Sequence, residues 1–328
     1  MSITAERGTR AAAPGTPSGA GPTRSALALD VSHLTKRYGH RTVVDDLSFT
    51  AQPGRVTGFL GPNGSGKSTT MKMLLGLASP NGGRALIGGV TYRELPEPAR
   101  TVGVVLEPNA FHPDRSGRNH LRVLADATGI AAARVDETLT AVGLDAEAAD
   151  RRVATYSLGM KQRLSLAAAL LGDPPVLVLD EPANGLDPRG IHALRDLLRA
   201  RAHRGHTVFV SSHLLGEIEH LADDVVVIDR GRLVTCGVVE ELRRAASFVR
   251  TSSPDVLVKE LELAGATVER PEPGALVVTG ISMDEIGVRA FAAGAVLHEL
   301  SAHAGSLEEL FLAWTVDGEA VDEEVLPS

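Results

Sequence analysis

The nine residues Gly61-Pro62-Asn63-Gly64-Ser65-Gly66-Lys67-Ser68-Thr69 constrain this chain more than any other stretch. They fit the spacing G-x-x-x-x-G-K-[ST]. A short apolar run, Val56-Thr57-Gly58-Phe59-Leu60, feeds them. Lys67 to Leu77 follows, with Met71, Leu74 and Leu75 at helical spacing. Glycines in such a loop let backbone N–H groups come close to a ligand, and the helix N-terminus behind it favours negative charge. The spacing therefore predicts a phosphate cradle between a strand and a helix. Lys67 is placed to reach β- and γ-phosphates, and Ser68 to ligate Mg²⁺. The helix should stop at the breaker cluster Ser79-Pro80-Asn81-Gly82-Gly83.

A second apolar run, Val176-Leu177-Val178-Leu179, lacks alternation, which predicts a strand buried on both faces. It ends in Asp180-Glu181-Pro182, and open α/β sheets place ligand-binding groups at strand ends of this kind. Asp180 can hold Mg²⁺ there, directly or through water. Glu181, beside a γ-phosphate, can orient or deprotonate an attacking water. Further strands are predicted at Leu27–Leu34, Val43–Thr50, Val102–Leu106, Val208–Val210 and Val225–Ile228, with helices at Gly159–Leu171 and Ile191–Ala202. Alternation of strand and helix argues for a parallel core sheet. The Ala-rich stretch between, about residues 110–165, reads as an all-α insertion. From residue 246 the pattern changes to βαββαβ plus a last helix over Ser306–Trp314. That order suits a small α+β, ferredoxin-like unit over 246–328.

Composition narrows the classes. The chain has 328 residues, enough for one large domain and a smaller one, and 43% of them are hydrophobic. A net charge of −8 and an aromatic content of 3% argue against nucleic acid as a partner. The one cysteine, Cys236, excludes an internal disulfide or a cysteine-based zinc site and suits a reducing compartment. No apolar run approaches the roughly 18 residues of a membrane helix. Residues 1–26 are rich in Ala, Gly, Pro, Thr, Ser and Arg, with no apolar h-region. They read as a disordered tail, not a secretory signal.

Four more segments join these two in order. They are Leu34-Thr35-Lys36-Arg37-Tyr38-Gly39, Ser157-Leu158-Gly159-Met160-Lys161-Gln162, Asn184-Gly185-Leu186-Asp187-Pro188, and His213 after Val208 to Ser212. Together, over residues 27–240, the six motifs resemble the nucleotide-binding domain of ATP-binding cassette (ABC) transporters. The resemblance implies a P-loop NTPase core with a mixed sheet, an all-α insertion, and ATP with Mg²⁺ as ligands. It implies that Tyr38 stacks on adenine, that Asp187 belongs to the loop after the catalytic carboxylates, and that His213 senses or stabilises the γ-phosphate. It also implies that Ser157 and Gly159 bind the γ-phosphate of ATP held by an opposite subunit. Two chains would then close over two MgATP as a homodimer. They would drive a separate transmembrane permease from the cytoplasmic face of the membrane, with no nucleic acid involved.

The sequence departs from the family pattern at two positions. Leu158 replaces a glycine, so a bulky side chain is expected where the backbone normally comes close. Glu107, in Val104-Val105-Leu106-Glu107, stands where a glutamine is usual. Its oxygens can still coordinate Mg²⁺ or water. Phe111, just beyond, is either an exposed anchor for the permease or a core residue. Ser306-Leu307-Glu308-Glu309-Leu310-Phe311-Leu312 resembles the C-terminal segment of drug-exporter ATPases of the daunorubicin and bacitracin resistance type. A drug, an antibiotic and a lipid all remain open as cargo. Beside the exporter stand two other readings, a soluble non-transport ABC ATPase and a regulatory ATP-binding module.

Overall fold

The computed structural model describes residues 26–106, 111–212, 215–244 and 247–302. The first two strands, β1 (Leu29–Tyr38) and β2 (Arg41–Ala51), form a hairpin through Gly39-His40. Their alternating burial puts Leu29, Val31, Leu34, Val44 and Leu47 on the inner face. Then come β3 (Val56–Leu60), α1 (Lys67–Leu74), β4 (Gly82–Ile87), α2 (Pro98–Thr101) and β5 (Val102–Val105). Four helices follow before the next strand: α3 (Gly117–Thr128), α4 (Ala133–Ala141), α5 (Ala146–Asp150) and α6 (Leu158–Leu170). The chain continues through β6 (Val176–Leu179), α7 (Pro188–His203), β7 (Thr207–Ser212), α8 (Leu215–Glu219), β8 (Asp224–Asp229), β9 (Arg232–Val238) and α9 (Val239–Arg244).

The central sheet has the order β5-β6-β7-β3-β8-β9, parallel except for β9, which runs antiparallel to β8. It is thus a parallel core, as the alternation of strand and helix predicted, mixed at one edge as the resemblance implied. A separate antiparallel sheet, β2-β1-β4, covers it. Strand β4 lies where the glycines of residues 82–83 read as a breaker. It is half exposed, and it is defined by its pairing with β1. Between the two sheets sits a core in which Phe49, Phe59 and Phe209 pack with ring centroids 5.1–5.5 Å apart. Phe59 and Phe209 are fully buried, and each such side chain contributes about 1.5–3 kcal/mol of transfer free energy. A second core lies on the helical side, where Leu121, Leu139, Leu164, Leu177 and Leu198 meet. Phe111 packs against this core, with its ring edge-on to His120 at 4.9 Å.

The C-terminal unit is β10 (Ser247–Thr251), α10 (Pro254–Leu263), β11 (Thr267–Glu272), β12 (Ala275–Thr279), α11 (Met283–Ala292) and β13 (Leu297–Ala302). Its antiparallel sheet has the order β11-β12-β10-β13. It holds its own core, centred on Val249, Leu257, Leu261, Leu276 and Ile286. The helix expected over Ser306–Trp314 and the tail over 1–25 lie outside the described residues.

Candidate nucleotide site

Strand β3 is buried at every position and delivers the chain into the loop. Gly61 cannot be replaced there: a Cβ would lie 2.4 Å from the carbonyl oxygen of Ile228 on β8. Gly66 has φ +107° and a Cβ would lie 2.8 Å from the Val43 carbonyl on β2. The loop is therefore pinned between two strands from distant parts of the chain. From the outside, Gly231 donates its amide to the Ser65 carbonyl at 2.9 Å.

Helix α1 starts at Lys67 with no side chain capping it and no acid in its first turn. Its first amides are thus left for an anion. Lys67 is 6% exposed, and its Nζ donates to the carbonyls of Gly61 at 2.6 Å and Pro62 at 3.1 Å. Burial pushes its pKa below the usual 10.5, while Glu181 and Asp180 pull it back. A cleft of about 360 Å³ opens above the loop, lined by Asn63, Gly64, Gly66, Lys67, Ser68 and Thr69. Arg41 and Val43 of β2 and Glu181 form its other walls.

Asp180 follows β6, with its amide bonded to the Val105 carbonyl at 2.7 Å, and is 8% exposed. The Ser211 hydroxyl, from β7, donates to the Asp180 carboxylate. The same oxygen accepts the Glu181 amide at 3.0 Å. Glu181 itself has φ +48°, a left-handed conformation that costs a non-glycine residue about 1–3 kcal/mol. One buried hydroxyl thus holds the Asp180 carboxylate and the Glu181 backbone amide, and Glu181 lines the cleft wall.

The start of α6 faces elsewhere. Ser157 caps it, accepting the Met160 amide at 3.2 Å. Gly159 lies against the Gly185 carbonyl, where a Cβ would come within 2.6 Å. The Leu158 side chain lies on Gly185 of the same chain and is half exposed. It is therefore the side chain, folded back, that occupies the close approach. Gln162 Nε2 donates to the Pro182 carbonyl at 2.8 Å, and Arg163 reaches Asp187 at 3.4 Å. Asp187 caps α7 through the Gly190 amide at 3.0 Å.

The structure therefore brings Lys67, Ser68, Thr69 and Glu181 into one cleft, with Asp180 behind Glu181. It leaves Ser157, Gly159 and Asp187 outside the lining of that cleft. Tyr38 ends β1, is 53% exposed, and pairs in register with Arg41. Lys36 Nζ lies 4.8 Å from its ring centroid. Glu107 and His213 lie outside the described residues. Sequence reasoning missed Arg41, Val43 and Ser211. For Arg41 the signal was the two-residue Gly39-His40 turn, which puts residue 41 opposite Tyr38. For Ser211 it was a polar residue continuing a buried apolar strand.

A parallel sheet whose strand runs through a glycine-rich loop into an uncapped helix, with paired carboxylates at the end of β6, one strand removed in the same sheet, defines a P-loop nucleotide-binding protein. Residues 44–184 match the family described as ABC transporter. Residues 247–308 match a domain of unknown function, DUF8746. The chain is 41% identical over 220 residues to the bacitracin transport ATP-binding protein BcrA of Enterococcus faecalis, covering 66% of this chain and 71% of that one. It is 39% identical over 253 residues to the Nod factor export ATP-binding protein I of Paraburkholderia xenovorans, covering 75% and 83%. A solved ATP-binding subunit of an ABC transporter superposes with TM-score 0.61 at 28% identity, over 80% of this chain and 99% of that one. The chain belongs to the ABC transporter ATP-binding proteins, and it is an ATPase of that family.

Proposed function

We propose that this chain is the ATP-hydrolysing subunit of an exporter. Two copies would close over two MgATP and drive a separate permease whose cargo is a drug, an antibiotic or a lipid-like molecule. The observation that carries the reading is the division of the site: the cleft holds Glu181 and the loop, while the Ser157–Gly159 helix start lies outside it. A second copy would supply that helix start to the first copy's γ-phosphate, where its amides and dipole favour negative charge. The names of the relatives, transport of bacitracin and export of Nod factor, support export. No helix among the described residues is long and apolar enough to cross a membrane, which suits a peripheral subunit with a membrane partner on the cytoplasmic face.

In this reading Tyr38 stacks on adenine, and Gly61 to Thr69 with Lys67 hold the β- and γ-phosphates. The hydroxyl of Ser68 and the carboxylate of Asp180 are hard oxygen donors suited to Mg²⁺, which would neutralise phosphate charge when bound. Glu107 would join them, and His213 would reach the γ-phosphate. Glu181 orients the attacking water and takes its proton. Residues 27–240 form the cassette and 246–328 an accessory ferredoxin-like domain. Glu181→Gln should bind ATP, slow hydrolysis by ~10²–10⁴ and accumulate the closed dimer. Sedimentation of that variant with MgATP tests this: a monomer at high protein concentration sinks the dimer, and wild-type turnover sinks the role of Glu181.

A further inference from the structure

We propose that Arg41 is a nucleotide-binding residue whose guanidinium pairs with the α-phosphate. This rests on the reading of the cleft as the ATP site. Tyr38 and Arg41 are the last register pair of the β1–β2 hairpin, so their side chains share one face about 5 Å apart. Val43 lies two residues on, at a shift in the strand register. Both Arg41 and Val43 line the cleft, and the Val43 carbonyl packs on Gly66 of the loop. Along the hairpin the order is aromatic ring, guanidinium, aliphatic side chain, loop. A nucleotide with its base on Tyr38 and its β- and γ-phosphates on the loop passes its α-phosphate over Arg41.

The charges point the same way. The nearest acids on β2 have partners of their own: Asp45 pairs with Arg232 at 2.7 Å and Asp46 with His33 at 2.8 Å. Among the described residues the Arg41 side chain makes no ion pair or hydrogen bond, yet it lines a cleft built for an anion. Guanidinium binds a phosphate through two parallel N–H donors, which a lysine cannot reproduce.

The test is nucleotide affinity of the full chain by calorimetry, with ATP, ADP and adenosine as probes. Arg41→Ala should weaken ATP and ADP by the same factor, about tenfold, and leave adenosine unchanged. Arg41→Lys should recover part of the loss, and the strand-end position leaves folding intact, checked by circular dichroism. Equal affinity of wild type and Arg41→Ala overturns the proposal, as does a loss confined to ATP, which would put the guanidinium at the γ-phosphate. Lys67→Ala separates the two levels of the argument. If it weakens ATP while Arg41→Ala does not, the site stands and Arg41 falls. If wild type and both variants fail to bind ATP, the site itself falls, and Arg41 with it.

Discussion

Ser211→Ala is the sharpest probe of how the carboxylate end of the site is built. The hydroxyl is fully buried, donates to Asp180 and accepts the Glu181 amide at 3.0 Å. A hydrogen bond to an ionised carboxylate contributes about 1.5–3 kcal/mol and one to a backbone amide about 0.5–1.5 kcal/mol. Alanine removes both and leaves the Asp180 carboxylate, 8% exposed, with one donor fewer. The expected loss is ~2–4 kcal/mol, or roughly 5–15 °C in Tm for a domain of this size. Turnover should suffer as well, because Glu181 is held at φ +48° only while its amide is held. At saturating ATP, kcat should fall about tenfold or more, since small misplacements of a catalytic group cost at least that. Thermal melts and steady-state phosphate release measure the two effects separately. A variant that melts within 1 °C of wild type and hydrolyses ATP at the wild-type rate would refute the reasoning.

Two further predictions follow from features of the helical side. Leu158→Gly strips the half-buried contact on Gly185 and should cost about 1 kcal/mol, with slower turnover because the segment after Glu181 loses a brace. Turnover equal to or faster than wild type would show that Leu158 does not support that segment. Burial, and then the Arg115 cation, hold the His120 imidazole below its ordinary pKa of 6.5. The unfolded chain therefore takes up this proton first, so stability is full above pH 6.5 and falls as the pH drops below it. His120→Gln should flatten the decline between pH 7 and 5 in denaturant titrations. The same pH slope in both proteins would remove His120 from the account.

What was legible in the sequence was whatever depends on neighbours along the chain. The apolar runs of β3 and β6 declare themselves because they are buried on both faces, and the loop between β3 and α1 needs its glycines in fixed order. The order of elements in the C-terminal unit was legible for the same reason, because each helix and strand there keeps its own period. What stayed hidden depends on partners far away. Strand β4 is glycine-led and half exposed, and it exists through β1. The role of Ser211 needs Asp180, 31 residues earlier, and a polar residue at the end of an apolar strand does not by itself name that partner. Leu158 was expected to put a bulky side chain where the backbone normally comes close; that it rests on Gly185 of its own chain depends on a rotamer, which spacing alone does not encode.

The loop of residues 61–69 leaves the ribosome early, but its walls are made late. Strand β3 is flanked by β7 and β8, Gly61 abuts Ile228, and Gly231 holds Ser65. During synthesis the cradle has its sequence more than 160 residues before it has its surroundings. Closing such long-range pairings is the slow part of folding for a parallel sheet. The first strands must therefore wait, with their apolar faces uncovered, for the chain that will enclose them. For this protein, completion of the nucleotide site and completion of the central sheet are a single event.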